Sequence, residues 1–172
     1  MDLYSVEAPL FIYGKLITNY ELRITNYTHA FLGVNKVFLD TAPIIYYVEG
    51  TPVFGEVVRE VFNLVSQGSF QAVSSPVRLA ECLVMPIRLG KPQIQQDFIE
   101  LLTNTDGISF IPITASVSQK AAEIRVSYGL KLPDALQIAA ALVAGCDAFL
   151  TNDRGLQRVS ELQILVLGAL QI

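Results

Sequence analysis

The sequence predicts an α/β domain, a three-layer α/β/α sandwich with a small, mostly parallel central sheet. Three observations predict it. Short, wholly apolar runs of strand length recur from Val37 onward, stretches with apolar residues at helical spacing separate them, and prolines and glycines punctuate the joins. Strands apolar on both sides belong in a parallel sheet covered by helices on both faces. The totals agree: with 172 residues, 52% hydrophobic and 16% charged, the chain can cover one core and is too apolar for disorder.

The elements follow in order. VFLD, residues 37–40, reads as a first strand, and APIIYYVEG after it as a helix ending at a glycine. Val53, Val57, Val61, Leu64 and Val65 mark a second helical stripe. Phe70–Val73 is a strand, and Pro76–Leu89 and Pro92–Leu102 are helices with proline in the first turn. Ile108–Ile113 is strand-like. Ser116–Tyr128 and Leu132–Ala144 are helices closed by Gly129 and Gly145, and Ala148–Thr151 and Ile164–Leu167 complete the set as strands.

The first 33 residues stand apart. Within Ile17–Tyr27, ITNYELRITNY, the unit ITNY recurs at a spacing of seven, too briefly for a coiled coil. A tandem seven-nucleotide repeat returns to frame every seven codons and would leave such a trace. Residues 1–33 are therefore expected to be an atypical extension, and the domain proper to span residues 34–172.

Composition excludes several function classes. Twelve Lys and Arg against sixteen Asp and Glu leave a net charge of −4, so no basic nucleic-acid footprint covers the whole chain. Cys82 and Cys146 lie in apolar runs, which suits buried, reduced thiols. No apolar run reaches the length of a membrane span, and the N-terminus has no secretory pattern. The expectation is a soluble, cytoplasmic protein.

Four acids are the candidates for chemistry, each with an ordinary alternative. Asp40 ends the first strand, where it could cap the next helix or face the crevice at the strand carboxyl ends. Glu81 has Val77, Val84 and Met85 one helical turn away and Arg78 three residues back, so it is either an intrahelical ion pair or a carboxylate on an apolar stripe in need of a counter-ion. Asp134 and Gln137 fit a capping-box spacing; if Pro133 opens the helix, Asp134 lies in its first turn and can point from the crevice. Asp153 lies in TNDRG, an ordinary turn composition. Asp147, before a strand, reads as a turn residue. Taken together, four carboxylates converging on one crevice would repel one another unless a hard cation neutralised them, and an oxygen-only set suits Mg²⁺ or Mn²⁺.

The ordered motifs LDTAPIIYYVEG, SSPVRLAECLV, LKLPDALQIAAAL and AFLTNDRGL resemble the PIN-domain nucleases, especially the toxins of VapC-type toxin–antitoxin pairs. The resemblance covers the chain from about Val37 onward. It implies a compact parallel α/β sheet with Asp40, Glu81, Asp134 and Asp153 as metal ligands and catalytic acids, and Thr41, Thr151 and Asn152 as polar neighbours. It implies Mg²⁺- or Mn²⁺-dependent hydrolysis of RNA, a cognate antitoxin that inserts a basic side chain into the acidic crevice, and a homodimer. Pro43 departs from the polar residue common at that position. Arg154, Arg158, Lys131 and Arg88 are candidates for RNA backbone contacts, and Ile44, Tyr46 and Tyr47 could line an interface or belong to the core.

Rival enzymes fit less well. A phosphatase of the haloacid-dehalogenase type would need a second aspartate at position 42, which is alanine; a dinucleotide-binding domain would need a glycine-rich turn after the first strand; a receiver domain would need an acidic pair near that strand. The rival from another class is a non-catalytic PIN-like module that binds protein or RNA.

Overall fold

The structure is a computed structural model that describes residues 10–12, 15–17 and 29–170. Strands β1 (Leu10–Ile12) and β2 (Lys15–Ile17) pair antiparallel with one another. The ITNY repeat lies largely outside the described residues. Phe31, inside the expected extension, is 6% exposed and stacks on Phe70 at a centroid distance of 5.0 Å, so the packed body reaches back at least that far.

The central sheet holds β3 (Lys36–Leu39), β4 (Gln71–Ser74), β5 (Ile108–Phe110), β6 (Ala148–Thr151) and β7 (Gln163–Val166), all parallel, in the order β5-β4-β3-β6-β7. The helices are α1 (Thr41–Glu49), α2 (Gly55–Ser66), α3 (Pro76–Arg88), α4 (Pro92–Asn104), α5 (Ala115–Tyr128), α6 (Leu132–Val143) and α7 (Leu167–Leu170), with a 3₁₀ turn at Arg154–Arg158. The expected α/β/α sandwich is the fold observed. Val37 and Leu39 face a core shared with Ile44 of α1, Val58 of α2 and Phe98 of α4, while Phe38 faces Ile124 of α5 and Ile138 of α6. Strand alternation thus divides one apolar run between two layers.

Element ends moved by a few residues. The second helix begins at Gly55, leaving Val53 exposed before it, and β5 stops at Phe110. Leu167 opens α7 instead of ending a strand, and neither α7 nor the 3₁₀ turn was anticipated. Pro43 is accommodated because it falls in the first turn of α1, where the backbone N–H groups have no intrahelical acceptor. Ile44 is core; Tyr46 stacks on Phe54 and Tyr47 on Phe62, so these rings pack within the chain. Among the described residues, no helix is long and apolar enough to cross a membrane.

Candidate active site at the strand carboxyl ends

Chain order fixes where a site can form. From β3 the chain steps outward to β4 and β5, then returns to add β6 and β7 on the other side of β3. The reversal falls between β3 and β6, and the crevice above their carboxyl ends is where open α/β sheets bind ligands. Asp40 follows β3 and Asp153 follows β6 by two residues. The Asp40 N–H donates to Leu150 O at 2.9 Å, and the Thr151 hydroxyl donates to Asp40 Oδ2 at 2.5 Å, so the ends of the two strands are tied through Asp40.

Asp40 is both cap and site residue. Its Oδ1 accepts from the Thr41 N–H at 2.7 Å, which orients α1, while the residue is 9% exposed. Asp153 caps the 3₁₀ turn: Oδ1 accepts from Gly155 N–H at 2.7 Å, and its own N–H donates to Thr151 Oγ1 at 2.9 Å. Thr151, itself fully buried, therefore bridges the two aspartates.

Glu81 comes from α3, which starts at the carboxyl end of β4. The Arg78 pairing expected within the helix is present, with Nη1 2.5 Å from Glu81 Oε2. The apolar stripe is not. Val84 and Met85 are 50% and 47% exposed, and the Glu81 side chain is 36% exposed, so Glu81 sits at the rim. Arg78 reaches further than its own helix. It is 3% exposed, donates from Nη1 to Thr41 Oγ1 at 2.9 Å, and places Nη2 3.0 Å from Asp40 Oδ1. Thr41 in turn donates to Glu81 Oε2 at 2.6 Å. Arg78 Nε has no hydrogen-bond partner among the described residues, and Nη2 lies near Asp40 without hydrogen-bond alignment.

Asp134 is not a cap. Helix α6 starts at Leu132 after Lys131, with Pro133 second and Asp134 third, and no side chain caps it. Gln137 makes no capping box: it is fully buried, and its Oε1 accepts from the Ser75 hydroxyl at 2.7 Å. Ser75 lies at the start of α3, so this bond ties α3 to α6 about one turn after Asp134. The Asp134 carboxyl is raised above its ordinary pKa, first by desolvation and then by the charges of Asp40, Asp153 and Glu81, against a lowering by Arg78. Asp134 thus feels all three other acids.

The donor set is chemically suited to a hard cation, being carboxylate oxygens with threonine hydroxyls nearby and no imidazole. As the side chains lie, no three acids, thiols or imidazoles among the described residues enclose a common point. Two of the acids, Asp40 and Glu81, pair instead with Arg78. Cys82 beside Glu81 is no alternative nucleophile, because burial pushes its thiol up to about 12. Asp147 is structural: its Oδ2 accepts from Asn35 and Lys36 N–H at 2.8 and 3.0 Å, which holds its pKa below the ordinary value.

Of the basic candidates, Lys131 precedes α6, and Arg154 and Arg158 lie in the 3₁₀ turn after β6; all three are exposed. Arg88 ends α3 ten residues past Arg78, about 15 Å along the helix and away from the crevice. Ser75, Gln137 and the long reach of Arg78 were missed by sequence reasoning. A glutamine inside an otherwise apolar helix was the available signal, since a buried amide needs a partner.

The family model of the PIN domain matches residues 37–162. No curated protein sequence matches the chain. Among solved structures the fold is similar to VapBC2 of Rickettsia felis bound to a DNA fragment from its promoter, with TM-score 0.60 and 16% identity over 75% of this chain and 96% of that one. A toxin–antitoxin complex from Klebsiella pneumoniae gives 0.57 and 19%, over 76% and 97%. VapC20 of Mycobacterium tuberculosis, a sarcin–ricin loop cleaving toxin, gives 0.54 and 15%, over 66% and 86%. At these identities the likeness is one of fold.

Proposed function

The chain belongs to the PIN domain family, and from that premise we propose that it is a Mg²⁺- or Mn²⁺-dependent endoribonuclease acting in the cytoplasm as the toxin of a type II toxin–antitoxin pair. What supports the reading is the placement of Asp40 and Asp153 just after the neighbouring strands β3 and β6, joined through Thr151, with Arg78 linking Asp40 to Glu81 and the pKa of Asp134 raised first by desolvation and then by the charges of the other three acids. Four acids around one crevice are unfavourable alone and favourable around a divalent cation.

When bound, such a cation polarises the scissile phosphate and makes water nucleophilic near neutral pH. The chain's own residues hold and orient. Asp40, fixed by Thr41 N–H and Thr151 Oγ1, and Asp134 and Asp153 offer oxygens from three different elements. Lys131, Arg154 and Arg158 line the same end of the sheet and meet the RNA backbone, so an acidic chain handles a polyanion locally. The similarity to proteins solved as toxin–antitoxin complexes supports an antitoxin as the partner.

The non-catalytic rival has one observation in its favour, the capture of Asp40 and Glu81 by Arg78. Two measurements separate the readings. Incubation with structured RNA under Mg²⁺, Mn²⁺ and EDTA is expected to give cleavage with either metal and none with EDTA; no cleavage with either metal refutes the nuclease. Expression is expected to slow growth, relieved by a small adjacent reading frame and by Asp134→Ala; unimpaired growth refutes the toxin role.

A further inference from the structure

Resting on the RNA reading above, we propose that Tyr46, Asn152 and Arg154 form a ribose–phosphate subsite beside the crevice. Tyr46 and Asn152 hold a 2′-hydroxyl there and Arg154 the neighbouring phosphate, so this corner selects RNA over DNA. Three elements build it. Tyr46 comes from α1, Asn152 directly follows β6, and Arg154 opens the 3₁₀ turn. The Asn152 Nδ2 donates to the Tyr46 hydroxyl at 3.2 Å. Thr151, the residue before, is committed to Asp40 and Asp153, so the Asn152 amide is the first polar side chain past β6 with bonding capacity to spare.

The ring of Tyr46 is fixed by packing. It lies nearly parallel to Phe54, with 13° between the planes and 5.0 Å between centroids. Fixing the ring fixes its hydroxyl, and through it the Asn152 amide. Gly168 of α7 forms the floor. A Cβ there would lie 3.6 Å from Asn152 Oδ1 and 3.9 Å from Arg154 Nη2, so the amide and the guanidinium lean over the same bare stretch of backbone.

The unused hydrogen-bonding capacity decides what fits. Among the described residues, Asn152 Oδ1 receives no donor, the Tyr46 O–H finds no acceptor, and no acid pairs with Arg154. A ribose 2′-hydroxyl is donor and acceptor in one group: it donates to Asn152 Oδ1 and accepts from Tyr46. The phosphate next to it along the strand meets the Arg154 guanidinium, whose planar fork suits a phosphate. DNA offers the phosphate and lacks the hydroxyl.

The experiment measures binding of the full chain, in EDTA at low salt, to fluorescein-labelled random-sequence pools of RNA, DNA and 2′-fluoro RNA by anisotropy. The 2′-fluoro pool keeps the ribose pucker and loses the hydroxyl donor. Wild type is expected to bind RNA about 10-fold tighter than either of the other two. Tyr46→Phe, which keeps the stack, and Asn152→Ala are each expected to lose about threefold or more in RNA affinity and leave DNA affinity unchanged. Arg154→Gln is expected to weaken all three alike and to lower the slope of log Kd against log salt by about one. If Asn152→Ala does not fold by circular dichroism, Tyr46→Phe decides. Equal binding of RNA and 2′-fluoro RNA by wild type, or variants at Tyr46 and Asn152 that keep the preference or weaken RNA and DNA alike, overturns the subsite. RNA cleavage under Mn²⁺ by the same wild-type preparation then leaves the nuclease reading standing. Wild type that neither binds nor cleaves RNA overturns both.

Discussion

The Thr151 hydroxyl donates to Asp40 Oδ2 at 2.5 Å across the two central strands, and Thr151 Oγ1 accepts the Asp153 N–H at 2.9 Å. One fully buried side chain thereby sets the orientation of two candidate ligands contributed by segments more than a hundred residues apart in the case of Asp40. Groups that orient ligands without touching the metal commonly matter by 10–100-fold. Thr151→Val, which keeps shape and removes the hydroxyl, is expected to lower RNA cleavage by about 10-fold or more, with a loss of about 1–2 kcal/mol in urea unfolding. Thr151→Ser is expected to retain most activity. Full activity in the valine variant would show that Asp40 is placed without Thr151.

Asp134 gives a pH prediction for the cation-free protein. Its carboxyl is raised by desolvation and by three neighbouring acids. Between the ordinary and the raised value, the folded chain holds a proton that the unfolded chain has released, so stability falls as pH rises through that window. Above it the ionised carboxylate remains a cost. In EDTA, Asp134→Asn should melt higher than wild type at neutral pH, on the order of a degree or two, and the difference should vanish as pH falls below the ordinary carboxyl range. A variant that melts lower at neutral pH would mean that the charge of Asp134 stabilises the fold.

The Ser75–Gln137 bond joins α3 to α6 with both residues fully buried, and Gln137 Nε2 has no partner among the described residues. Ser75→Ala strands the amide oxygen as well, at about 1–3 kcal/mol. Replacing both residues, Ser75→Ala with Gln137→Leu, should cost less than the sum of the single changes. A double-mutant cycle in urea unfolding checks this, and strict additivity would mean the bond contributes nothing.

Phe31 decides how short the folding unit can be. Residues 30–172 are expected to unfold cooperatively and cleave RNA like the full chain. Residues 34–172 lose the Phe31–Phe70 stack and are expected to lose about 3 kcal/mol. Equal stability for the two truncations, measured in urea, would return the boundary to Val34.

Legibility followed sequence separation. The strands were readable because each is a short apolar run, and Asp40 and Asp153 because each follows one directly. Glu81 was readable beside Arg78 because the pair shares a helix face, but the 3.0 Å approach of Arg78 to Asp40 spans two elements and leaves no local pattern. The capping-box spacing of Asp134 and Gln137 was misleading for a physical reason: the helix starts one residue before Pro133, and the glutamine finds its partner on another helix. Arg88 looked usable in the sequence because only the fold says that α3 carries it away from the crevice.

The most direct test is the rate of cleavage of an end-labelled RNA at fixed Mn²⁺ by wild type and Asp134→Asn. Because desolvation and neighbouring acids disfavour the ionised Asp134 carboxyl, this variant is expected to fold at least as well as wild type without metal, so lost activity is not a loss of fold. The account predicts cleavage by wild type that EDTA abolishes, and a rate at least about 10²-fold lower for Asp134→Asn. A variant within a few-fold of wild type, or wild-type cleavage that persists in EDTA, would contradict a cation site built on these acids.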